Sequence, residues 1–369
     1  MAAKARSISP SPDPIGAGTL SGCPVPAPAA NDMAHPPQRP ADWTRILARY
    51  RTPIPKQSLF ELTVTLVPFL ALFALAWVAL SVSPILSVLI ALANAAFLVR
   101  LFMIQHDCGH GSFFRSRRLS DWVGRAIGVL TLTPYDVWRQ THAIHHASTG
   151  NLDRRGVGDM PTLTVDEYRA QSWINRFLYR LVRNPLILFG IVPFYTFFLQ
   201  NRLPVGLMDA GARYWIGAMG TNAAILALAV GLYLLGGAQV LLFVVLPTIM
   251  LAASIGMWLF YVQHQFEDTY WDHEADWAVQ DAAFHGSSHY VLPPVLRWLS
   301  ANIGVHHVHH MASRIPFYRL DEVIRDHAAL ANVHRITLGE SLHCARLNLW
   351  DEQSRRLVSF REARRMRAA

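Results

Sequence analysis

The chain has 369 residues, 52% of them apolar and 16% charged, against about a quarter charged in ordinary soluble domains. That deficit argues for a membrane protein. The net charge of +8 is carried almost wholly by arginine, and its placement, described below, explains it without a nucleic-acid partner. The three cysteines, Cys23, Cys108 and Cys344, form no C-x-x-C pair, which excludes a disulfide framework and a thiolate zinc site.

Residues 1–40 are rich in Pro, Ala and Ser and are expected to be disordered. No signal-peptide core stands within 1–57. Residues 41–57 set Trp43, Ile46, Leu47 and Tyr50 beside Arg45, Arg49 and Arg51. This pattern fits an amphipathic helix at a membrane interface and fits an ordinary linker helix equally well. Four apolar runs follow at 59–82, 84–105, 214–235 and 239–262, each near the ~20 residues that cross ~30 Å of hydrocarbon. The links Ser81-Val82-Ser83 and Gly236-Gly237-Ala238 are so short that each pair reads as a helical hairpin. A fifth run, 185–200, begins at Pro185 and contains Pro193. At 1.5 Å per residue it would reach only about 24 Å, so it reads as interfacial or re-entrant.

With four crossings, the segment 106–213 and the segment from 263 onward lie on the side of the N-terminus. Every Lys and Arg except Arg100 falls in these three segments, and the two short links hold none. The positive-inside rule then puts both termini and both large segments in the cytoplasm.

Histidines gather where the spans end. His106 follows the second span and His264 the fourth. His106 and His110 are spaced i, i+4; His142, His145 and His146 read H-x-x-H-H, and His306, His309 and His310 repeat that spacing. On a helix i, i+3 and i+4 share one face, so each cluster can point imidazoles at one place. Nine imidazoles exceed the needs of one four-coordinate ion, which favours a two-metal centre. Zinc needs fewer ligands and has no redox chemistry, copper is possible on ligand type, and two irons fit both the number and oxygen chemistry. Soluble di-iron bundles use two Glu-x-x-His motifs, and that pair of motifs is absent. Asp107, Asp153, Asp159, Glu267 and Asp268 are candidates to orient ligating rings. Asn151 and Asn302 are weaker candidates, and His307, outside the repeated spacing, is a supporting neighbour. His273, His285, His289, His327, His334 and His343 read as structural or surface residues.

These residues resemble the membrane-bound fatty acid desaturase family, marked by three histidine boxes. Here the boxes are His106-Asp107-Cys108-Gly109-His110, His142-Ala143-Ile144-His145-His146 and His306-His307-Val308-His309-His310. The stretches Gly150–Gly156 and Gln263–Glu267, with Asn302–His306, are similar to bacterial acyl-lipid omega-6/Δ12-type desaturases. The resemblance implies an all-α integral membrane protein: two transmembrane hairpins under a cytoplasmic helical cap that holds a histidine-rich di-iron site. The desaturase domain would span 58–345, with 346–369 a basic tail, in the inner membrane of a bacterium. It also implies two iron ions, O2 as co-substrate, and a membrane lipid or acyl carrier as substrate. His35-Pro36-Pro37 lacks the glycines of a fused haem motif, so an external donor, ferredoxin or cytochrome b5-like, is implied. An apolar tunnel for the acyl chain is expected, with Trp138, Trp258, Phe260 and Tyr261 as candidate lining. Hydroxylation or ketolation of a fatty acid, alkane or carotenoid is the nearest alternative. Metal transport is distant, because the spans hold almost no ionisable residue beyond Glu61 and Arg100.

Overall fold

The computed structural model describes residues 40–366. The tail expected at 1–40 lies, apart from residue 40, outside them. In chain order the helices are α1 (Pro40–Leu47), α2 (Pro55–Ala79), α3 (Pro84–His110), α4 (Arg117–Leu130), α5 (Tyr135–Ser148), α6 (Val165–Ala170), α7 (Trp173–Val182), α8 (Ile187–Arg202), α9 (Ala212–Val240), α10 (Leu246–His264), α11 (Val279–His285), α12 (Pro294–Leu299) and α13 (His306–Met311). Further short helices follow. Among the described residues three stretches are long and apolar enough to cross a membrane: α2, α3 and the run Ala212–His264. On α2 the outward residues include Leu59, Phe60, Val67 and Val78, an apolar surface suited to lipid.

Local chemistry sets these ends and bends. The side chain of Ser83 accepts from the Leu86 amide at 3.5 Å, and Pro84 occupies the first helical position of α3, where a missing N–H is harmless. Gly111 closes α3 in the left-handed region (φ 68°). The Ala212–His264 run breaks at Gly237, with φ 70° and ψ −177°. A Cβ on neighbouring Gly236 would lie 2.4 Å from Val240 and 2.5 Å from Trp77. One glycine supplies the conformation and the other the space. The break reverses the chain. Gly217 packs on Asp136 of α5, while His264 meets His145 of the same helix. Residues 217 and 264 would stand about 70 Å apart on one straight helix, whereas Asp136 and His145 are only about 14 Å apart. The second expected hairpin is therefore folded as one, its limbs joined at Gly237.

Prolines account for two of the widened turns. The π-helical turn Leu241–Val245 precedes Pro247, and the π turn Ile187–Ile191 precedes Pro193. A proline removes one backbone donor and clashes with the carbonyl four residues back, and a wider turn absorbs both effects. The α8 stretch meets α7 at 62°, with Asn184 and Pro185 in the corner.

The expectation of an all-α protein needs correction. The fold is mostly helical, but five short strands occur among the described residues. β1 (Leu163–Thr164) pairs in parallel with β4 (Leu349–Asp351), which pairs antiparallel with β5 (Arg356–Val358); β2 (His289–Val291) pairs in parallel with β3 (Arg335–Thr337). Strands of two or three residues carry no readable period. The segment read as a basic tail contributes β4 and β5, burying Leu349, Trp350, Leu357 and Val358. Two of its arginines pair with acids: Arg355 with Asp272 and Arg356 with Glu267. Helix α1 turns Trp43 and Leu47 into the protein core, so these residues are not part of a free apolar face.

The two charges of the spans find each other. Arg100 of α3 donates to Glu61 of α2, to Thr65 Oγ1 at 3.1 Å and to the carbonyl of Trp298 on α12. The side chains of Arg100 and Glu61 are 2% and 8% exposed. Removing one partner strands a buried charge, whereas removing both does not. Arg100→Ala is expected to destabilise the protein by about 3–5 kcal/mol, and the Arg100→Met/Glu61→Leu pair by clearly less. Unfolding of the two variants in detergent measures the difference, and equal losses would contradict it.

Candidate metal centre

The long helices carry their last turns out of the apolar zone with histidines on them. His106 and His110 end α3 and His264 ends α10, while α5 and α13 bring the two H-x-x-H-H runs. The ring nitrogens form two groups, each with its ligand atoms within 4.8 Å of one another. The first holds His106, His110, His142, His146 and His309; the second holds His145, His264, His306 and His310. Each H-x-x-H-H run is thereby divided. In the first run i and i+4 (His142, His146) serve the five-membered group and i+3 (His145) the other. In the second run i and i+4 (His306, His310) serve the four-membered group and i+3 (His309) the five-membered one. The expectation that each run aims at one point is corrected. The i+3 ring lies to one side of the line through i and i+4, and the partner group waits there. The groups abut, with His146 and His310 stacked at 4.1 Å between centroids.

Within each group Nε2 atoms face Nε2 atoms. The distances are 3.0 Å for His110–His142, 3.2 Å for His142–His146 and 3.1 Å for His146–His309. In the second group they are 3.1 Å for His145–His264, 2.9 Å for His264–His306 and 3.1 Å for His306–His310. Burial, and then the neighbouring imidazoles, hold the pKa values of His142, His146, His306, His309 and His310 well below the usual histidine range. Neutral rings keep their lone pairs available. Two ligands at 90° on one ion at about 2.1 Å have nitrogens about 3.0 Å apart, and a tetrahedral pair about 3.4 Å. The donor set thus fits a metal of more than four coordination at each group.

Other atoms fix the rings. Asp159 Oδ1 lies 2.5 Å from His145 Nδ1, the Gly286 carbonyl 3.0 Å from His264 Nδ1, and Asp107 Oδ1 3.3 Å from His106 Nδ1. Each contact favours a proton on Nδ1 and turns Nε2 toward the group. Asp107 also accepts from the Phe317 amide at 2.7 Å, tying α3 to the chain that follows α13. Nothing in the sequence singles out the Gly286 carbonyl, since every residue has one. Arg183 also escapes a reading of the sequence. Buried at 3% exposure, it donates to the Pro161 carbonyl and to Thr162 at 2.8 Å, and its Nη1 stands 3.4 Å from Tyr261 and Gln265. It staples the loop after Asp159 to the end of α10.

Several candidates lie elsewhere. Asp153 faces His273 at 2.9 Å and the Glu274 amide, and Glu267 faces Arg356 at 2.7 Å; both are drawn outward by surface partners. Asn151 caps the turn at Asp153 and Arg154, and Asp268 lies near His334. Asn302 reaches the Phe317 carbonyl, one step behind Asp107. The His307 ring turns away to the Leu330 carbonyl at 3.0 Å, and burial pushes its pKa down to about 3. His273, His285, His289, His327 and His334 all make contacts outside the two groups, and His343 is exposed.

An apolar cavity of about 350 Å³ opens beside the groups. His106, His142 and His306 stand on its wall with Trp138 and Phe260. Trp258 and Tyr261 are not on that wall. Trp258 donates toward Tyr290 at 3.3 Å, and Tyr261 donates to the Leu347 carbonyl at 2.7 Å. The arrangement can place an extended apolar substrate against these imidazoles along an apolar wall.

Comparison with known proteins agrees with this geometry. Residues 83–341 match the sequence model of the family described as Fatty acid desaturase. The chain is 44% identical over 318 residues to a protein of Bacillus subtilis (strain 168) named Fatty acid desaturase, covering 86% of this chain and 90% of that one. It is 30% identical over 235 residues to the sn-1 acyl-lipid omega-3 desaturase (ferredoxin) of Synechocystis sp., covering 60% and 61%. It is 26% identical over 238 residues to the sn-1 oleoyl-lipid 12-desaturase of the same organism, covering 59% and 62%.

The ring-fixing contacts predict a split among the acids. Asp159→Asn is expected to weaken metal retention about 10–100-fold, and Asp153→Asn to leave it unchanged. Competition with a chelator, read as metal content per chain, checks both; equal effects would contradict the assignment.

Proposed function

The chain belongs to the fatty acid desaturase family, and we propose that it inserts a C=C bond into a membrane-lipid acyl chain, using two irons, O2 and electrons from an external carrier. It is an oxidoreductase. The observation that carries the reading is the set of six Nε2···Nε2 separations of 2.9–3.2 Å among histidines on the wall of an apolar cavity and beside it. The nine proposed ligands are His106, His110, His142, His146 and His309 for one iron, and His145, His264, His306 and His310 for the other. Iron bound there would supply O2 activation: with two electrons and two protons, one O2 takes two hydrogens from adjacent methylenes and leaves as two waters.

The protein's own part is position. The apolar cavity wall holds an acyl tail without any charged partner, and it excludes water from the reacting methylene. Asp159 and the Gly286 carbonyl keep two rings in the ligating tautomer. A proposed four-crossing topology comprises α2, α3 and the two limbs of Ala212–His264, with α8 at the interface. It puts all nine histidines on one side, and the distribution of Lys and Arg favours the cytoplasmic side of a bacterial inner membrane. Donor approach is proposed at the five-membered group, because His110, His142 and His146 are only partly buried. One Synechocystis relative carries ferredoxin in its name, which supports a ferredoxin donor here over the cytochrome b5-like alternative. Transport is disfavoured, since Glu61 and Arg100 neutralise each other inside the spans.

Expression in a host that makes only saturated and monounsaturated lipids tests the reaction by mass spectrometry of fatty acid methyl esters. A new double bond is expected, and His145→Ala and His309→Ala should each abolish it. Hydroxylated products would move the assignment to the alternative chemistry. Metal analysis of fully loaded protein should return about two irons per chain; about one or none would contradict the two-metal reading.

A further inference from the structure

The cavity beside the histidines has a direction. At one end Gly156, Gly158, Leu203, Val205 and Gly206 are exposed. At the other, Leu98 and Val99 of α3 and Ile249, Ala252 and Ala253 of α10 are all buried. Just beyond Ile249 the two helices close on each other, with Thr248 Oγ1 donating to the Ala91 carbonyl at 3.0 Å. The closed end is therefore a floor and the glycine-rich end a mouth, and three of the proposed ligands stand on the wall between them. Along α10, Ile249 lies 15 residues from His264, a drop of about 22 Å, and Gly256 lies 8 residues from it, about 12 Å. The floor is deep because the α10 residues facing the cavity between these levels are small. A Cβ added at Gly256 would meet nothing within 4 Å, so the space beside it is cavity, not packed side chain.

We infer that Gly256, with Ala252 and Ala253, sets how long an acyl segment fits beyond the reacting methylene, making Gly256 a specificity-determining residue for chain length. The inference rests on the desaturase reading and adds a ruler to it. A tail entering from the mouth runs past His106 and His306 and ends toward Leu98 and Ile249. A leucine at position 256 would project into the channel about halfway down and shut off the lower part. Short tails would still seat their reacting carbons, whereas long tails would be held too high. Each misfitted methylene in an apolar pocket changes selection by about 10–200-fold.

The test uses the full chain in nanodiscs, iron-loaded and supplied with an electron donor, with saturated myristoyl, palmitoyl and stearoyl phospholipids. Gly256→Leu is expected to lower the stearoyl-to-myristoyl ratio of kcat/KM by about tenfold or more, with Gly256→Ala shifting it less in the same direction. An active Gly256→Leu enzyme with an unchanged ratio would overturn the inference and leave the desaturase reading intact. If Gly256→Leu is inactive on every chain, photolabelling decides. A stearoyl lipid carrying a diazirine at its methyl end should label the 249–256 stretch of wild type and not of the variant; label that persists there in the variant would overturn the inference. Wild type that takes the label at 249–256 yet forms no double bond in these lipids or in their monounsaturated counterparts would refute the desaturase reading and support the depth of the cavity.

Discussion

Lone pairs pointed at lone pairs are the constraint on which the rest of the molecule depends. Six pairs of Nε2 atoms lie within 3.2 Å, and desolvation pushes down the pKa values of His142, His146, His306, His309 and His310 among them. Two neutral imidazoles facing each other this way cannot both donate. Without a cation the arrangement costs desolvation at every ring, and three of the rings, His106, His145 and His264, are held from behind at Nδ1. Much of the molecule around the groups can be understood as that backing. The carboxylate of Asp159, the carbonyl of Gly286, and Asp107 with the Phe317 amide each grip an Nδ1 or the helix that bears it. Arg183 staples the loop of Asp159 to the end of α10.

The long helices serve the same end. A span that must cross hydrocarbon is rigid and internally hydrogen-bonded throughout. Extending α3 and α10 by one more turn therefore yields two well-placed platforms for His106, His110 and His264. The inserted segments then need only dock α5 and α13 against those platforms. The Arg100–Glu61 pair contributes by carrying α3 to α2 and, through the Trp298 carbonyl, to α12, a few residues before His306. Packing in the spans and placement of the third histidine run are thus linked by a single guanidinium.

Sequence reading went furthest where period and chemistry coincide. The two hairpins, the nine histidines and their convergence follow from hydropathy and from the i, i+3, i+4 spacing, and Asp159 was legible as an acid in a Gly-Asp turn beside a histidine run. The division of each run between two groups was not legible, because spacing tells which rings share a face but not what stands at either side of it. Glu267 and Asp153 looked as apt as Asp159; only the positions of Arg356 and His273, far off in sequence, turn them outward. Trp258 and Tyr261 cannot be told from lining aromatics in the sequence for a related reason: Tyr261 is held by the Leu347 carbonyl, and that acceptor comes from 86 residues away. β4 and β5 hid in a stretch dominated by arginine, where two or three buried residues per strand leave no period to read.

The crossed histidine runs have a consequence for how the centre comes into being and is lost. α5 alone supplies rings to both groups, as does α13, so neither group is complete until both helices have docked. Metal bound at one group would order the helix that the other group needs, which would link the two filling steps in free energy. A chain with this wiring favours all or nothing: half-furnished molecules should be scarce during maturation, and damage to one helix should empty both halves of the centre together.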